Sequence, residues 1–143
     1  MDATIMHRSH SGFSLIELLV VLVILGLLGG IVGPRVLKHL GGAKFNTAML
    51  QIEDLSAALD IYMLEVGKYP TTDEGLVALI EAPANSMNWN GPYLRKARVP
   101  ADPWGNDYKY KSPGDHGEYD LFSYGADNAP GGEQNDRDVA SWE

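Results

Sequence analysis

The chain has 143 residues, a formal net charge of −8 at pH 7 and no cysteine. The acidic balance argues against nucleic-acid binding, because a protein that binds a phosphate backbone needs clustered Lys and Arg. The missing cysteines exclude disulfides, so packing, oligomerisation or a metal has to stabilise a chain that is long enough for only one small globular domain.

The most informative feature is an apolar segment over residues 13–35, which follows a short polar leader, residues 1–12. No charged residue occurs from Leu18 to Pro34. About 20 apolar residues, each rising ~1.5 Å in a helix, cross a bilayer. Glu17 lies at the head of this segment, where a carboxylate is costly in hydrocarbon and therefore needs a partner.

Three interpretations of this segment compete: a secretory signal, a permanent single-pass anchor and a prepilin-type segment that is cleaved between Gly12 and Phe13. A secretory signal carries a small-residue cleavage site after its apolar region, and none follows here. Glu17 separates the other two, because cleavage would free an amino group on Phe13 that Glu17 of a neighbouring copy could pair with. At an effective dielectric constant of ~20, such a pair 4 Å apart attracts by about 4 kcal/mol before desolvation.

The run from Gly12 to Leu22, GFSLIELLVVL, resembles the start of the type IV pilin and pseudopilin family. The resemblance implies that a prepilin peptidase cuts after Gly12 and that the new terminal residue, Phe13, is N-methylated. It also implies that Glu17 guides the registration of subunits in a filament. The expected fold is α+β, a long N-terminal helix packed on a small antiparallel sheet.

Residues 36–67 form the amphipathic half of the predicted N-terminal helix, which ends near Gly67. Its apolar residues recur at spacings of three and four: Phe45, Met49, Ile52, Leu55, Leu59, Tyr62, Met63 and Val66. The glycines from Gly26 to Gly33 and then Pro34 weaken the middle of this helix. Two interpretations of that stretch stay open, namely unwinding on assembly and close helix packing through small residues.

Residues 68–143 are predicted to form a globular domain. Thr71 or Thr72 is expected to cap a short helix that ends before Pro83. Turn signals at Gly105-Asn106 and Pro113-Gly114 separate short runs of strand type. The predicted sheet is antiparallel, with three strands at Tyr93–Leu94, Asp107–Lys111 and Tyr119–Ser123.

The C-terminal loop, residues 124–138, is polar and rich in glycine, yet a sequence able to pack follows it. Four carboxylates lie close together there, on Asp127, Glu133, Asp136 and Asp138. The composition alone leaves two alternatives, a solvated acidic loop and a loop folded around calcium, which takes oxygen ligands from carboxylates and carbonyls. The loop offers no thiol or clustered imidazole for zinc.

Three blocks of the globular domain are similar to one branch of the family, the major pseudopilins of the type II secretion system. They are Tyr69–Thr72 with Gly75-Leu76, Asp102–Asn106 with Tyr108, and Asp120–Ser123 with Gly125–Asp127. The resemblance implies that the C-terminal loop binds calcium through two aspartates and several carbonyls. Asp127 matches the first aspartate, Asp136 is the first choice for the second and Asp138 the next. The implied carbonyl ligands belong to Tyr124, Ala129 and Gln134.

No catalytic constellation is evident around the four histidines, His7, His10, His39 and His116, so we expect no enzyme activity. The resemblance implies a structural subunit that forms a homopolymeric filament, the pseudopilus, which drives export of folded proteins across the outer membrane. The implied partners are minor pseudopilins, an inner-membrane assembly platform with its ATPase, the prepilin peptidase and an outer-membrane secretin. The implied location is the bacterial inner membrane, single-pass, with the globular domain in the periplasm.

Three other functions compete with this one: the major subunit of a surface type IV pilus, a minor pseudopilin at the filament tip, and an anchored binding module that never polymerises. Surface pilins often carry a C-terminal disulfide loop, which a chain without cysteine cannot form. The block from Asp102 to Gly105 and the presence of Glu17 favour the major pseudopilin over a minor one.

Overall fold

The structure, a computed structural model, describes residues 12–84 and 86–143, and for residues 34–40 it describes the backbone alone. The predicted leader, residues 1–12, therefore lies outside the described residues except for Gly12. Contacts divide the chain into two compact units between Leu37 and Lys38.

The predicted N-terminal helix is confirmed as α1, Leu15–Val66. Its first turn is closed by a reciprocal pair of hydrogen bonds, a capping box. The Ser14 Oγ accepts the Glu17 backbone N–H at 3.2 Å, and the Ser14 N–H donates to the Glu17 Oε2 at 3.4 Å. At the other end Gly67 adopts a left-handed φ of 89° and donates its N–H to the Met63 carbonyl at 2.8 Å. The helix therefore ends where the sequence predicts it, at a glycine C-cap.

The N-terminal part of α1 is wholly apolar and exposed. Residues Leu15–Gly33 have a mean hydropathy of 2.9, and none of this stretch is buried. Among the described residues it is the one helix that is long and apolar enough to cross a membrane, judged by length and composition.

The second part of α1 supplies one side of a hydrophobic core. The buried side chains of this helix are Ala48, Ile52, Leu55, Ala58, Leu59 and Tyr62, and the rest of the core comes from Leu76, Ala78, Leu79, Tyr108, Leu121 and Val139. The buried helix positions recur at spacings of three and four, so the amphipathic pattern identified the buried face correctly.

The short helix predicted after Thr71 is a single 3₁₀ turn, Leu76–Leu79, which begins after Gly75 without a side-chain cap. Thr71 instead closes the preceding turn together with Glu74. The Thr71 N–H donates to the Glu74 Oε2 at 2.8 Å, and the Glu74 N–H donates to the Thr71 Oγ1 at 3.2 Å. Thr72 has a different partner, because its hydroxyl donates to the Ser112 carbonyl.

The sheet has three antiparallel strands in the order β1-β2-β3: β1 is Lys109–Lys111, β2 is Asp120–Ser123 and β3 is Val139–Ala140. The predicted strands at Asp107–Lys111 and Tyr119–Ser123 are thus confirmed in slightly shorter form. Asp107 itself makes only an isolated bridge with Ala101.

The predicted strand Tyr93–Leu94 is wrong. Tyr93 donates its backbone N–H to the Leu79 carbonyl at 2.8 Å and its hydroxyl to the Glu65 carboxylate at 2.7 Å. Its ring meets Tyr62 edge to face, with ring centroids 5.6 Å apart. Tyr93 therefore anchors a loop to α1, and the third strand comes from Val139–Ala140 instead.

Candidate processing motif and cation-binding loop

The predicted processing residues lie at the exposed start of α1. Gly12 and Glu17 are exposed, and the Phe13 side chain is 81% exposed. Glu17 already has a structural role within one subunit, because its carboxylate completes the capping box with Ser14. A test of its role in assembly therefore has to separate charge from capping.

The sheet brings the two ends of the C-terminal loop together. Ser123, the last residue of β2, pairs with Val139, the first residue of β3. Tyr124 and Asp138 directly follow and precede this pair, so two predicted ligand residues flank the mouth of the loop. Tyr124 is half-buried, and its ring packs edge to face on Phe122, with ring centroids 5.0 Å apart.

The aspartates of the loop differ in their surroundings. Asp127 is exposed, and its Oδ1 accepts the Ala129 N–H at 3.2 Å. Asp138 is half-buried, and its Oδ2 accepts the Gly131 N–H at 2.9 Å. The Oδ1 of Asp138 is buried and finds no hydrogen-bond donor in the described part of the chain. Burying a carboxylate oxygen without a partner is unfavourable, and a bound cation would remove that penalty.

Asp136 is also half-buried and closes the 3₁₀ turn Gln134–Asp136, where its backbone N–H donates to the Glu133 carbonyl at 3.1 Å. Ala129 and Gln134, the other predicted carbonyl ligands, are exposed.

Left-handed backbone conformations are concentrated in this loop. Non-glycine residues seldom adopt positive φ, and Asn128 and Gln134 do so at 52° and 56°. Three glycines of the loop share that region: Gly125, Gly131 and Gly132. Such residues reverse the direction of successive peptide groups, so that carbonyls of a short loop can converge.

The residues fit a calcium ion whose ligands are mostly backbone oxygens. Over the ranges 12–84 and 86–143, no three His, Cys, Asp or Glu side chains form a group that could hold a metal by themselves. A site in this loop would therefore combine two carboxylates with several carbonyls, which is a donor set of hard oxygens that suits calcium.

The far side of the loop packs against α1. A β-carbon at Gly41, which is buried, would overlap the Asn135 side-chain amide. The Arg137 guanidinium lies over the Phe45 ring, 4.9 Å from its centroid. The loop thus touches the helix within the unit that begins at Lys38.

Three polar residues that the sequence analysis did not assign to the loop also reach it, namely Asp102, Asn106 and Ser123. Asp102 is 4% exposed and Ser123 is 1% exposed. Burial raises the pKa of the Tyr108 hydroxyl, and the negative charge of the nearby Asp102 raises it further. In the sequence, the signal for this turn was Asp102 followed three residues later by Gly105. That spacing is typical of a turn closed by the aspartate side chain.

Two family models match the chain. The prokaryotic N-terminal methylation motif matches residues 7–33, and the model of the type II secretion system protein G matches residues 35–142. The first match and the exposed apolar helix together define the class: a membrane-anchored protein of the bacterial envelope that carries this motif. The second match covers most of the chain, and the chain belongs to the type II secretion system protein G family.

Curated relatives match along nearly their whole length. The type II secretion system core protein G of Pseudomonas aeruginosa is 45% identical over 143 residues, covering 97% of this chain and 99% of the relative. The protein of the same name from Vibrio cholerae is 46% identical over 138 residues, with 94% and 93% covered.

A solved structure agrees with the fold. The crystal structure of the major pseudopilin from the type 2 secretion system of enterohaemorrhagic Escherichia coli matches with a TM-score of 0.61 and 36% identity. The match covers 71% of this chain and 88% of that one. The predicted fold class, a long N-terminal helix with a small antiparallel sheet, is confirmed.

Proposed function

We propose that this chain is the major structural subunit of a type II secretion pseudopilus, and that growth of this filament drives folded proteins across the outer membrane. The observation that carries the proposal is the near-complete coverage of relatives named core protein G, together with the exposed apolar helix Leu15–Gly33. Members of this family are structural subunits, so we expect this chain to build the filament and to catalyse no reaction.

Before assembly the apolar segment anchors the subunit in the inner membrane, with the globular domain in the periplasm. A prepilin peptidase cuts between Gly12 and Phe13, and the apolar helices then leave the lipid and pack against one another. The ammonium group of one Phe13 neutralises the carboxylate of another subunit's Glu17, since an unpaired charge in that apolar setting is unfavourable. The working partners are minor pseudopilins, an inner-membrane platform with its ATPase, and an outer-membrane secretin.

The capping box makes a sharp test of this charge possible. Glu17→Gln keeps a side-chain oxygen for the Ser14 N–H but removes the charge. Ser14→Ala removes the Oγ acceptor for the Glu17 N–H but keeps the charge. We expect Glu17→Gln to abolish filaments and to lower secretion at least tenfold, while Ser14→Ala retains both. Filaments are counted by microscopy after overexpression, and the exported protein is assayed in medium and periplasm.

The opposite ranking would refute the ion pair, since filaments from Glu17→Gln and none from Ser14→Ala would mean that capping is what matters. Glu81→Ala, a change to an exposed acid outside α1, is the matched control for loss of a negative charge. It should leave assembly unchanged.

We further propose that the C-terminal loop binds calcium. The carboxylates of Asp127 and Asp138 would hold the ion together with the carbonyls of Tyr124, Ala129 and Gln134. The buried, unpaired Oδ1 supports Asp138 over Asp136 as the second aspartate. Calcium supplies positive charge that offsets the clustered carboxylates, and its binding free energy adds to the free energy of unfolding.

Calcium removal tests this site on the full chain in detergent micelles. At a free calcium concentration 100 times Kd, binding stabilises the folded state by about 2.7 kcal/mol, so a chelator should lower the melting midpoint by several degrees. Asp138→Asn should melt at the chelated midpoint with or without calcium, whereas Asp136→Asn should keep the calcium response. An equal melting midpoint for the unaltered chain with calcium and with chelator would refute the proposed calcium site.

A further inference from the structure

The turn from Asp102 to Asn106 is closed by its own aspartate. The Asp102 Oδ1 accepts the backbone N–H groups of Trp104 at 3.0 Å and Asn106 at 2.8 Å. The Asp102 N–H donates to the Asn106 carbonyl at 2.8 Å. The geometry of the turn is therefore complete with one carboxylate oxygen, and the second oxygen and the Asn106 amide are left for partners elsewhere.

The Asp102 Oδ2 and the Asn106 amide both connect to Gly125, the first through the Ser123 hydroxyl and the second directly. The Ser123 hydroxyl donates to the Asp102 Oδ2 at 2.5 Å and accepts the Gly125 N–H at 3.1 Å. The Asn106 Nδ2 donates to the Gly125 carbonyl at 3.0 Å. The turn thus holds the N–H and the C=O of one glycine that lies 19 residues further along the chain than Asn106.

Gly125 is the point where the start of the C-terminal loop crosses its end. Its φ is 72°, and a β-carbon there would lie 2.9 Å from the Arg137 carbonyl oxygen. The next residue, Ala126, donates its N–H to the Asn135 carbonyl at 2.9 Å. Gly125 also lies between two predicted ligands, since Tyr124 precedes it and Asp127 follows two residues later.

We infer that Asp102, Asn106 and Ser123 are positioning residues for the cation site, acting by fixing the two peptide groups on either side of Gly125. This inference rests on the proposed calcium site. Outer hydrogen bonds that orient metal ligands commonly change metal affinity by roughly 10–100-fold. A role confined to the stability of the turn would need neither of the contacts to Gly125, because the Asp102 Oδ1 already closes that turn.

Asn106→Ala is the primary test, measured on the full chain in detergent by competition between the protein and a fluorescent chelator for calcium. We expect the calcium Kd to rise at least tenfold, while the melting midpoint in excess chelator falls by only a few degrees, because the Gly125 carbonyl loses one hydrogen bond. Thr72→Ala is the matched control, because Thr72 makes two hydrogen bonds with Ser112, at 3.0 and 2.9 Å, in a turn away from the loop. It should lower the midpoint and leave the calcium Kd unchanged.

Asn106→Asp is the second variant and has almost the same shape. It replaces the Nδ2 donor with an oxygen, while its added negative charge favours cation binding. A raised Kd in this variant would therefore come from the lost hydrogen bond and support the inference. An unchanged or lower Kd in this variant, found together with an unchanged Kd in Asn106→Ala, would overturn it.

The remaining outcomes distinguish a failure of the positioning role from a failure of the proposed calcium site. If the unaltered chain binds calcium and Asn106→Ala binds it equally well, the positioning role is wrong and the calcium site stands. A rise in Kd for Thr72→Ala equal to that for Asn106→Ala would also overturn the positioning role, since general loss of stability would explain both. If the unaltered chain binds no calcium, the proposed site itself fails.

Discussion

The two parts of α1, Leu15–Gly33 and the part beyond Lys38, differ in which of their side chains are buried. In Leu15–Gly33 every side chain lies outside a core, and even large ones such as Leu22 are 65% exposed. In the part beyond Lys38, Leu55 and Leu59 are at most 1% exposed. The first part is apolar all round, and the second is apolar on one face.

This difference shows where the partner of each part lies. The second part buries its apolar face against groups of the same chain, so its packing stabilises the folded subunit. The first part exposes an apolar surface that water would disfavour, which suits the membrane anchoring and filament packing proposed above. A substitution should therefore affect subunit stability in the second part and membrane insertion or assembly in the first.

The largest expected effect comes from removing a core leucine of the second part. Leu59→Ala should reduce the free energy of unfolding by about 2–5 kcal/mol, because the side chain is fully buried and its loss leaves a cavity. Leu22→Ala is the matched change in the first part and should leave the melting midpoint in detergent unchanged. Thermal or urea unfolding of the full chain in micelles measures both. Equal destabilisation by the two variants would contradict the division.

The sequence predicted the helix and two strands because their signals are local. The spacing of three and four, the closing Gly67 and the turn signals at Gly105-Asn106 and Pro113-Gly114 each arise from neighbouring residues. The third strand was missed because Val139–Ala140 is two residues long and exists only through pairing with β2. Tyr93 had strand propensity, but its hydroxyl and ring found partners on α1 instead, and such tertiary contacts override propensity.

The calcium chemistry of the loop stays a prediction, and the geometry of the loop was only partly predictable from the sequence. Clustered acids and glycines left both a solvated loop and a calcium site open, and the family resemblance implied the calcium site and its candidate ligands. The proposed preference for Asp138 over Asp136 rests on the register that places Asp138 beside the Ser123–Val139 pair and on the burial of its Oδ1. The hydrogen bond from Asn106 to Gly125 likewise joins residues 19 positions apart, and no local spacing specifies such a contact.

A smaller effect distinguishes the glycines of the two parts. Gly41→Ala should destabilise the subunit by about 0.5–1.5 kcal/mol, because the new methyl group overlaps the side-chain amide of the exposed Asn135 and makes that side chain change rotamer. Gly26 has open space around it, so Gly26→Ala should leave the unfolding midpoint of the globular unit unchanged. Unfolding in calcium and in chelator measures both variants. A loss of several kcal/mol would show that Asn135 cannot turn away and that the methyl group displaces the loop.

The smallest effect belongs to the contact between Arg137 and Phe45, and a double-mutant cycle isolates it. A guanidinium over an aromatic ring at an exposed site contributes roughly 0.5–1 kcal/mol, so Arg137→Ala and Phe45→Leu should show a coupling energy of about that size. Glu143→Gln is the control, because it removes only the exposed ion pair with Arg137, which measures 3.2 Å, and such pairs contribute little. A coupling energy of zero would mean that Arg137 lies over the ring without stabilising the loop.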